Sequence, residues 1–232
     1  MTAKLEPAVV LHGRKYKESS MLLSLWLPAH GKINAVARMS SSKKNHALYQ
    51  PFNLLNIEIK LAKSGDALAN IRTLELEKSY PMGSYLSQLS RLYLNELLYW
   101  LLPQDHHDEA LFGSYISVIG GLMNDDVSGL LRYFELKLLE SIGYGFQIEH
   151  DEANIPIKTD AFYTMAPLSA FRQVTAEHGI LGQHILQLQQ PVSAWDNHTL
   201  SVLRKLIRIN LDACLHGRSL KTRELLKYLN VK

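Results

Sequence analysis

Apolar and polar residues alternate with a period of two along several short segments within residues 1–80. The clearest segment is Lys32–Arg38, in which Ile33, Ala35 and Ala37 share one face and the residues between them share the other. Such alternation predicts a β-strand. The other extended segments are Ala8–Lys15, Ser20–Leu27, Phe52–Leu61 and Ala69–Tyr80. Five short strands joined by turns predict a small closed barrel such as an OB-fold, although an SH3-like barrel has a similar pattern.

After Pro81 the apolar residues recur with the period of an α-helix. We expect Ser84 to cap a helix that runs from Tyr85 to Leu102 and stops at Pro103. Further helices are predicted from Asp108 to about Met123, from Asp125 or Asp126 to about Ile142, at Gln183–Gln190, from Asp196 or Asn197 to about Leu215, and at Leu220–Leu229.

Between Phe146 and Leu181 no period dominates, and scattered prolines and glycines predict irregular chain with short strands or helical turns. The predicted fold class is therefore α+β. It consists of an N-terminal five-stranded OB-fold barrel at residues 1–80, followed by an α-helical domain at residues 81–232. The helical domain includes a small irregular C-terminal subregion at residues 146–190.

Composition limits the class of protein further. The chain has 232 residues, of which 47% are hydrophobic and 20% charged, as in an ordinary folded protein. No apolar run approaches the ~20 residues needed to cross a bilayer, and the N-terminal segment lacks a signal peptide's apolar core. We therefore expect a cytoplasmic protein. The single cysteine, Cys214, leaves no partner for an internal disulfide or a multi-cysteine zinc site.

Charge is strongly segregated along the chain. Residues 1–80 carry 12 Lys and Arg against 6 Asp and Glu, residues 81–200 carry 5 against 14, and residues 201–232 carry 8 against 2. Two basic ends that flank an acidic middle indicate a polyanionic partner such as nucleic acid. The alternative is that the lysines and arginines form an ordinary solvated surface.

Common catalytic motifs are missing from the sequence. It contains no GxxxxGK[ST] phosphate loop, no dinucleotide fingerprint, no HExxH and no GxSxG. Asp105–Asp108 (DHHD) has metal-binding residue types, but adjacent side chains on regular backbone point apart, so we interpret it as a solvated loop. We predict no catalytic residue, no metal and no cofactor, and keep a metal-dependent hydrolase as an alternative.

The predicted barrel suits nucleic acid, because cations can follow phosphates while aromatic rings stack on bases. Tyr16, which is flanked by lysines, is the ring we consider for stacking, whereas Trp26 is interpreted as a core residue. The DNA-binding residues predicted here are Arg14, Lys15, Tyr16, Lys17, Lys32, Arg38, Lys43 and Lys44.

The C-terminal part carries a second basic set. Arg204 and Arg208 are four residues apart and share one helix face. This set forms either a solvated helix surface or a second surface for a polyanion. Its predicted DNA-binding residues are Arg204, Arg208, Arg218, Lys221 and Arg223.

Arg132 lies beside an apolar stripe in the acidic part of the chain. An arginine in this setting either clamps the carboxylate of a partner or forms an internal ion pair with a glutamate. The residues alone favour the internal pair.

Several segments together resemble the RecO family of bacterial DNA-repair and recombination proteins. Each is short, but their order and spacing match over most of the chain, least well at residues 146–190. The segments are Val10-Leu11-His12, Glu18-Ser19-Ser20, Gly31-Lys32, Gln50-Pro51-Phe52, Tyr93-Leu94-Asn95-Glu96-Leu97-Leu98, Arg132-Tyr133-Phe134-Glu135, Gly143-Tyr144-Gly145 and Leu220-Lys221-Thr222-Arg223.

The resemblance implies an OB-fold and a helical domain, binding of single- and double-stranded DNA, annealing of complementary strands, and cooperation with RecR to load RecA. It also implies binding of the acidic C-terminal tail of single-stranded-DNA-binding protein, with Arg132, flanked by Leu131 and Phe134, at the tail site. Tyr133 stands where the family has a second arginine. Some members carry a four-cysteine zinc site, but Cys214 is alone here. An RNA-binding OB module and a scaffold that binds no nucleic acid are the remaining alternatives.

Overall fold

A computed structural model describes residues 5–38, 47–61, 68–81, 83–123, 127–176 and 179–229. Its first five strands form a closed barrel in the order β1-β2-β3-β5-β4, with β3 and β5 parallel and the other pairs antiparallel. This arrangement confirms the predicted five-stranded OB-fold barrel. The strands are β1 (Glu6–Tyr16), β2 (Ser20–Leu27), β3 (Gly31–Arg38), β4 (Leu54–Lys60) and β5 (Ala69–Lys78).

The barrel interior is filled by the apolar faces that the period-two pattern marked. Ala35 and Ala37 of β3 are buried, and Ile33 packs against the same cluster. The second part of β2, residues 23–27, is buried on both faces, which explains the apolar residues on both sides of the strand there. Its residue Trp26 lies on the outer side and packs edge-on against Phe112 at 5.0 Å between ring centroids. The interpretation of Trp26 as a core residue is confirmed.

Two helices, α1 (Tyr85–Leu101) and α2 (Glu109–Gly121), follow the barrel. Asn95 of α1 is buried, and its amide donates to the carbonyls of Val10 at 3.1 Å and Leu11 at 3.3 Å. These carbonyls lie where a bulge interrupts the pairing of β1 with β2. Asn95 therefore satisfies backbone groups that the ladder leaves free, and it ties α1 to the outer side of β1.

The C-terminal helix α6 (Lys221–Leu229) packs on α1. The carboxylate of Glu96 accepts hydrogen bonds from the backbone N–H groups of Lys221 and Thr222, each at 2.9 Å, and from the Thr222 hydroxyl. It thus serves as the N-terminal cap of a helix 125 residues away in sequence. Met1–Met123 and Leu220–Lys232 consequently form one compact unit, which does not end where the sequence period changes at residue 80.

The second compact unit is Asn124–Ser219. It contains helices α3 (Val127–Ser141), α4 (Gly182–Leu186) and α5 (Asn197–Cys214), with two 3₁₀ turns at Gln187–Gln189 and Val192–Ala194. Three short strands, β6 (Phe162–Met165), β7 (Phe171–Val174) and β8 (Ile180–Leu181), make an antiparallel sheet in the order β7-β6-β8. The predicted short strands are confirmed, whereas the helix predicted at Gln183–Gln190 is a single turn of α4 continued by a 3₁₀ turn. None of the helices in the described part of the chain is long and apolar enough to cross a membrane.

Candidate nucleic-acid interface

The outer face of β1, β2 and β3 carries two cross-strand rows of residues. In one row Arg14 pairs with Leu22, which pairs with Val36. In the next, Tyr16 pairs with Ser20, which pairs with Arg38. Leu23 and Leu25 of β2 point into the barrel. Because side chains alternate between the two faces of a strand, Leu22 and Ser20 point outward, together with their cross-strand partners.

We call the surface formed by Arg14, Tyr16, Ser20, Leu22, Val36 and Arg38 the outer barrel face. Its two arginines are exposed, and its centre is partly apolar. Among the described residues, no carboxylate lies within salt-bridge distance of Arg14 or Arg38. The face therefore combines available positive charge with apolar surface and one aromatic ring.

Of the two neighbouring lysines predicted to bind DNA, one borders this face and the other lies on the opposite strand face. Lys17 has a φ of +54° in the turn between β1 and β2, and its amino group lies 5.4 Å from the centroid of the Tyr16 ring. Lys15 is exposed and pairs with Met21, on the strand face opposite to Arg14. A cation beside a partly exposed ring such as Tyr16 can contact a phosphate while the ring stacks on a base.

A cleft of about 630 Å³ adjoins the outer barrel face. Strands β3 and β5 pair at only two positions, Ala35–Ala69 and Val36–Asn70, and the cleft opens beyond them. Arg38, Arg72 and Tyr49 line it. Arg72 forms an exposed ion pair with Glu58 at 3.2 Å, a type of contact that contributes ~0–1 kcal/mol and competes weakly with a ligand.

Arg72 was missed by the sequence analysis, because only the parallel pairing of β3 with β5 brings it beside Arg38. Tyr49 is 8% exposed, and its hydroxyl donates to the Arg38 carbonyl at 3.1 Å. Burial raises the pKa of Tyr49. Tyr49 thus supports the end of β3 rather than presenting a free ring.

Lys32 lies at the other end of β3 from Arg38. Its amino group donates to the Tyr99 carbonyl at 2.7 Å and sits 5.8 Å from the centroid of the Tyr99 ring. Burial lowers the pKa of Lys32. This amino group is engaged with α1, so it does not join Arg14 and Arg38. Lys43 and Lys44 lie outside the described residues.

The C-terminal cations divide between the two compact units. Arg204 and Arg208 are exposed on α5, and Arg208 lies 3.7 Å from Asp212 in an exposed pair. Arg218 is exposed after the end of the same helix. Arg204, Arg208 and Arg218 belong to unit 124–219.

Lys221 and Arg223 belong instead to the barrel unit. Lys221 is exposed in the first turn of α6, whereas Arg223 packs over the ring of Tyr93 at 5.8 Å. The Arg223 contact helps to hold α6 against α1, so part of this basic segment has a structural role.

The last residue of the DHHD segment, Asp108, has a structural role. Asp108 caps α2 by accepting a hydrogen bond from the Leu111 N–H at 2.7 Å. His106 lies 3.9 Å from the same carboxylate. Within the described ranges, no group of three or more His, Cys, Asp or Glu side chains could hold a metal ion.

Comparison with known proteins identifies the family. The model of the family "Recombination protein O N terminal" matches residues 1–80, and that of "Recombination protein O C terminal" matches residues 84–231. The chain belongs to the RecO family. The DNA repair protein RecO of Francisella tularensis subsp. novicida is 36% identical over 226 residues, covering 96% of each chain. That of Coxiella burnetii (strain RSA 493) is 35% identical over 235 residues, covering 96% of this chain and 97% of the relative. Membership places the protein in DNA repair and recombination.

The RecO-like segment of α3 contains Arg132. Its guanidinium lies 2.9 Å from the carboxylate of Glu135, and the two side chains are 12% and 0% exposed. The internal ion pair favoured by the residues is therefore confirmed. Leu131 and Phe134 are buried, with Phe134 completely inaccessible. A partner's carboxylate at Arg132 would have to share the guanidinium with Glu135. Phe134 could not contact such a partner directly, because its side chain is inaccessible; it could only pack beneath the site.

Proposed function

We propose that this RecO-family protein binds single- and double-stranded DNA, anneals complementary strands, and helps RecR to load RecA onto DNA coated by single-stranded-DNA-binding protein. The role is that of a mediator that breaks no covalent bond. The observation that carries the proposal is the placement of Arg14, Tyr16 and Arg38 together on the outer barrel face. OB-folds bind nucleic acid on this part of the barrel, around strands 2 and 3.

The geometry suits a single strand. Arg14 and Arg38 are two strands apart, which is about 10 Å, and are offset by one row of outward-facing residues, which is about 7 Å. Their backbones are therefore roughly 12 Å apart along a diagonal, and Tyr16 shares a row with Arg38. Two cations at this separation can hold neighbouring segments of one backbone while the ring contacts a base between them.

Annealing follows from charge neutralisation. Two DNA strands repel each other through their phosphates, and bound cations reduce that repulsion and release counterions. We assign one strand to the outer barrel face, and the second to the exposed cations Arg204, Arg208 and Arg218. The surface near Arg132 would take the acidic tail of single-stranded-DNA-binding protein, which recruits the protein to coated DNA. The proposed setting is the cytoplasm, in association with the nucleoid.

A salt titration tests the DNA-binding step. Binding of a fluorescent single-stranded oligonucleotide should weaken linearly on a log–log plot, with each phosphate contact contributing about −0.7 to the slope. The double variant Arg14→Ala with Arg38→Ala should reduce the magnitude of the slope by about 1.4. Lys78→Ala is the matched control, since Lys78 is an exposed cation at the far end of β5.

Three results would contradict the proposal. The first is a slope near zero for the unmodified protein. The second is a reduction of the slope by about 0.7 in Lys78→Ala, which removes one charge where the double variant removes two, because that result would mean that only net charge matters. The third is preferential binding of a matched RNA oligomer in competition, which would favour the RNA-binding alternative.

A further inference from the structure

Aromatic side chains continue the outer barrel face toward the end of α1. His12 lies two residues before Arg14 on β1, so it points to the same outer side, and it is exposed. Its ring centroid lies 5.4 Å from that of Tyr99, and the Tyr99 ring in turn lies 4.9 Å from the ring of Trp100. We call His12, Tyr99 and Trp100 the ring row. Its members come from β1 and from the last turn of α1.

The ring row is accessible at its outer end. Trp100 is 41% exposed and Tyr99 is partly exposed, whereas Trp26 on β2 is completely buried. A single exposed apolar residue is common on protein surfaces and needs no special explanation. Here, however, the exposed indole belongs to a contiguous row of rings that begins beside an exposed arginine. The row therefore extends a basic surface with aromatic surface that a ligand can reach.

The charges around the ring row allow a polyanion to approach. The carbonyl groups at the end of a helix carry partial negative charge, which disfavours phosphate. At the end of α1 the Lys32 amino group donates to the Tyr99 carbonyl at 2.7 Å and offsets this charge. The nearest acid along the helix, Glu96, lies one turn before Trp100, and its carboxylate accepts hydrogen bonds from the first backbone N–H groups of α6. Its negative charge is thus offset by the positive end of that helix.

The outer barrel face and the ring row form one continuous strip. Tyr16, Arg14 and His12 follow one another on the outer side of β1 at intervals of about 7 Å. The ring-to-ring steps from His12 to Trp100 then carry the strip onto α1. The strip has aromatic rings at both ends and a cation between them. A single strand of nucleic acid is bound by this combination, because cations follow its phosphates while rings stack on its bases.

We propose that the ring row is a second base-stacking site for single-stranded DNA, in which Trp100 stacks on a base beyond the barrel. This inference rests on the DNA binding proposed above, since the strand must first lie on the outer barrel face. It adds the end of α1 to the DNA-binding surface, and it assigns the aromatic contact there to a residue outside the OB-fold. Lys32 has a positioning role, because it holds the end of α1 against β3.

Intrinsic fluorescence of the full chain tests the stacking directly. The probe is a twelve-nucleotide oligothymidylate, and the comparison is an abasic oligomer of equal length, which has the same phosphates but no bases. A base that stacks on an exposed indole should quench its emission, so the oligothymidylate should quench and the abasic oligomer should not. Trp100→Phe should remove the quenching and keep the affinity within about threefold, because phenylalanine retains a ring for stacking. The loss of signal would assign the quenching to Trp100 rather than to Trp26 or Trp195.

Affinity measurements separate stacking from charge. Trp100→Ala should weaken binding of the oligothymidylate about fivefold or more and leave the abasic oligomer unchanged, since only the base contact is lost. The salt slope of Trp100→Ala should equal that of the unmodified protein, because no phosphate contact is removed. Tyr85→Ala is the matched control, because Tyr85 is a 60% exposed ring at the other end of α1. It should change neither the affinity nor the slope.

Failure of this inference is distinguishable from failure of the proposed DNA binding. Salt-dependent binding of the oligothymidylate without quenching, or with unchanged affinity in Trp100→Ala, would remove the ring row from the interface and leave the outer barrel face in place. Equal weakening of both oligomers by Trp100→Ala would make Trp100 a structural support instead. Quenching that persists in Trp100→Phe, or equal weakening by Tyr85→Ala, would place the base elsewhere. Absence of salt-dependent binding by the unmodified protein would overturn both proposals.

Discussion

The capping of α6 by Glu96 makes a strong prediction about local stability. Replacing Glu96 with alanine removes the acceptor for the N–H groups of Lys221 and Thr222 and for the Thr222 hydroxyl. Loss of a helix cap costs about 1 kcal/mol, and loss of a carboxylate at a helix N-terminus costs about 0.5–1 kcal/mol. The expected total is about 2 kcal/mol.

The cost should appear as detachment of α6 rather than as global unfolding. The helix has nine residues, which is fewer than the ~12–15 that an isolated helix needs to be even marginally stable in water. Its helical state therefore depends on docking to α1, and Leu220, which is 2% exposed, would become accessible on release. The barrel strands are held by hydrogen bonds to one another, so their stability should not change when α6 detaches.

Hydrogen exchange followed by mass spectrometry measures this directly on the peptide that covers residues 220–229. A change of about 2 kcal/mol should increase its exchange about 30-fold in Glu96→Ala, with exchange in β1–β5 unchanged. Glu96→Gln keeps an acceptor oxygen but loses the charge, so we expect an increase of only about threefold to fivefold. Glu75→Ala, at an exposed position on β5, is the control.

Unchanged exchange of residues 220–229 in Glu96→Ala would refute the capping argument. A uniform increase over the barrel peptides would also contradict it, since α6 would then unfold only together with the rest of its unit.

Two further predictions concern titration and the buried pair of α3. Burial raises the pKa values of Tyr80 and Tyr115. Above about pH 10 the unfolded chain therefore loses phenol protons that the native protein keeps. The free energy of unfolding should be unaffected by these groups below that pH and should fall as the pH rises above it. Urea denaturation at pH 9 and pH 11 should show a smaller decrease for Tyr115→Phe, and an identical decrease would count against this account. Arg132→Ala leaves the inaccessible Glu135 without its cation and should lower the free energy of unfolding by about 3 kcal/mol, compared with less than ~1 kcal/mol for Lys137→Ala in an exposed pair. The same Arg132 variant should weaken binding of an acidic tail peptide and spare single-stranded DNA; equal losses of both would argue against a separate tail site.

Local features of the fold were predictable because they depend on neighbours in the sequence. The predicted period-two segments match β1–β5 to within two residues at every end, since alternation places one face of each strand in the barrel. Ser84, Asp108 and Asp196 cap their helices through side-chain hydrogen bonds, as their residue types indicate. Gly143, which follows the end of α3, has a φ of +87°, a left-handed conformation that commonly ends helices and that glycine adopts without strain.

A polar residue on the apolar face of a predicted helix indicates a buried hydrogen bond, and the sequence contains such a residue. Asn95 occupies a core position of α1, where an amide is stable only if its hydrogen bonds are satisfied. Its partners at the β1 bulge are more than 80 residues away, so the sequence could indicate that a partner exists but not which one.

The sequence by itself determined the barrel, the order of the helices and the segregation of charge, because these follow from periodicity, capping and composition. Tertiary structure alone decided what each charged side chain contacts. It placed Arg14 and Arg38 on one face and brought the Lys32 amino group to a backbone carbonyl of α1. It also paired Arg132 with Glu135 and buried Arg91 beside an open cleft. These five cations thus have different surroundings, because burial and available partners depend on contacts between residues that are distant in the chain.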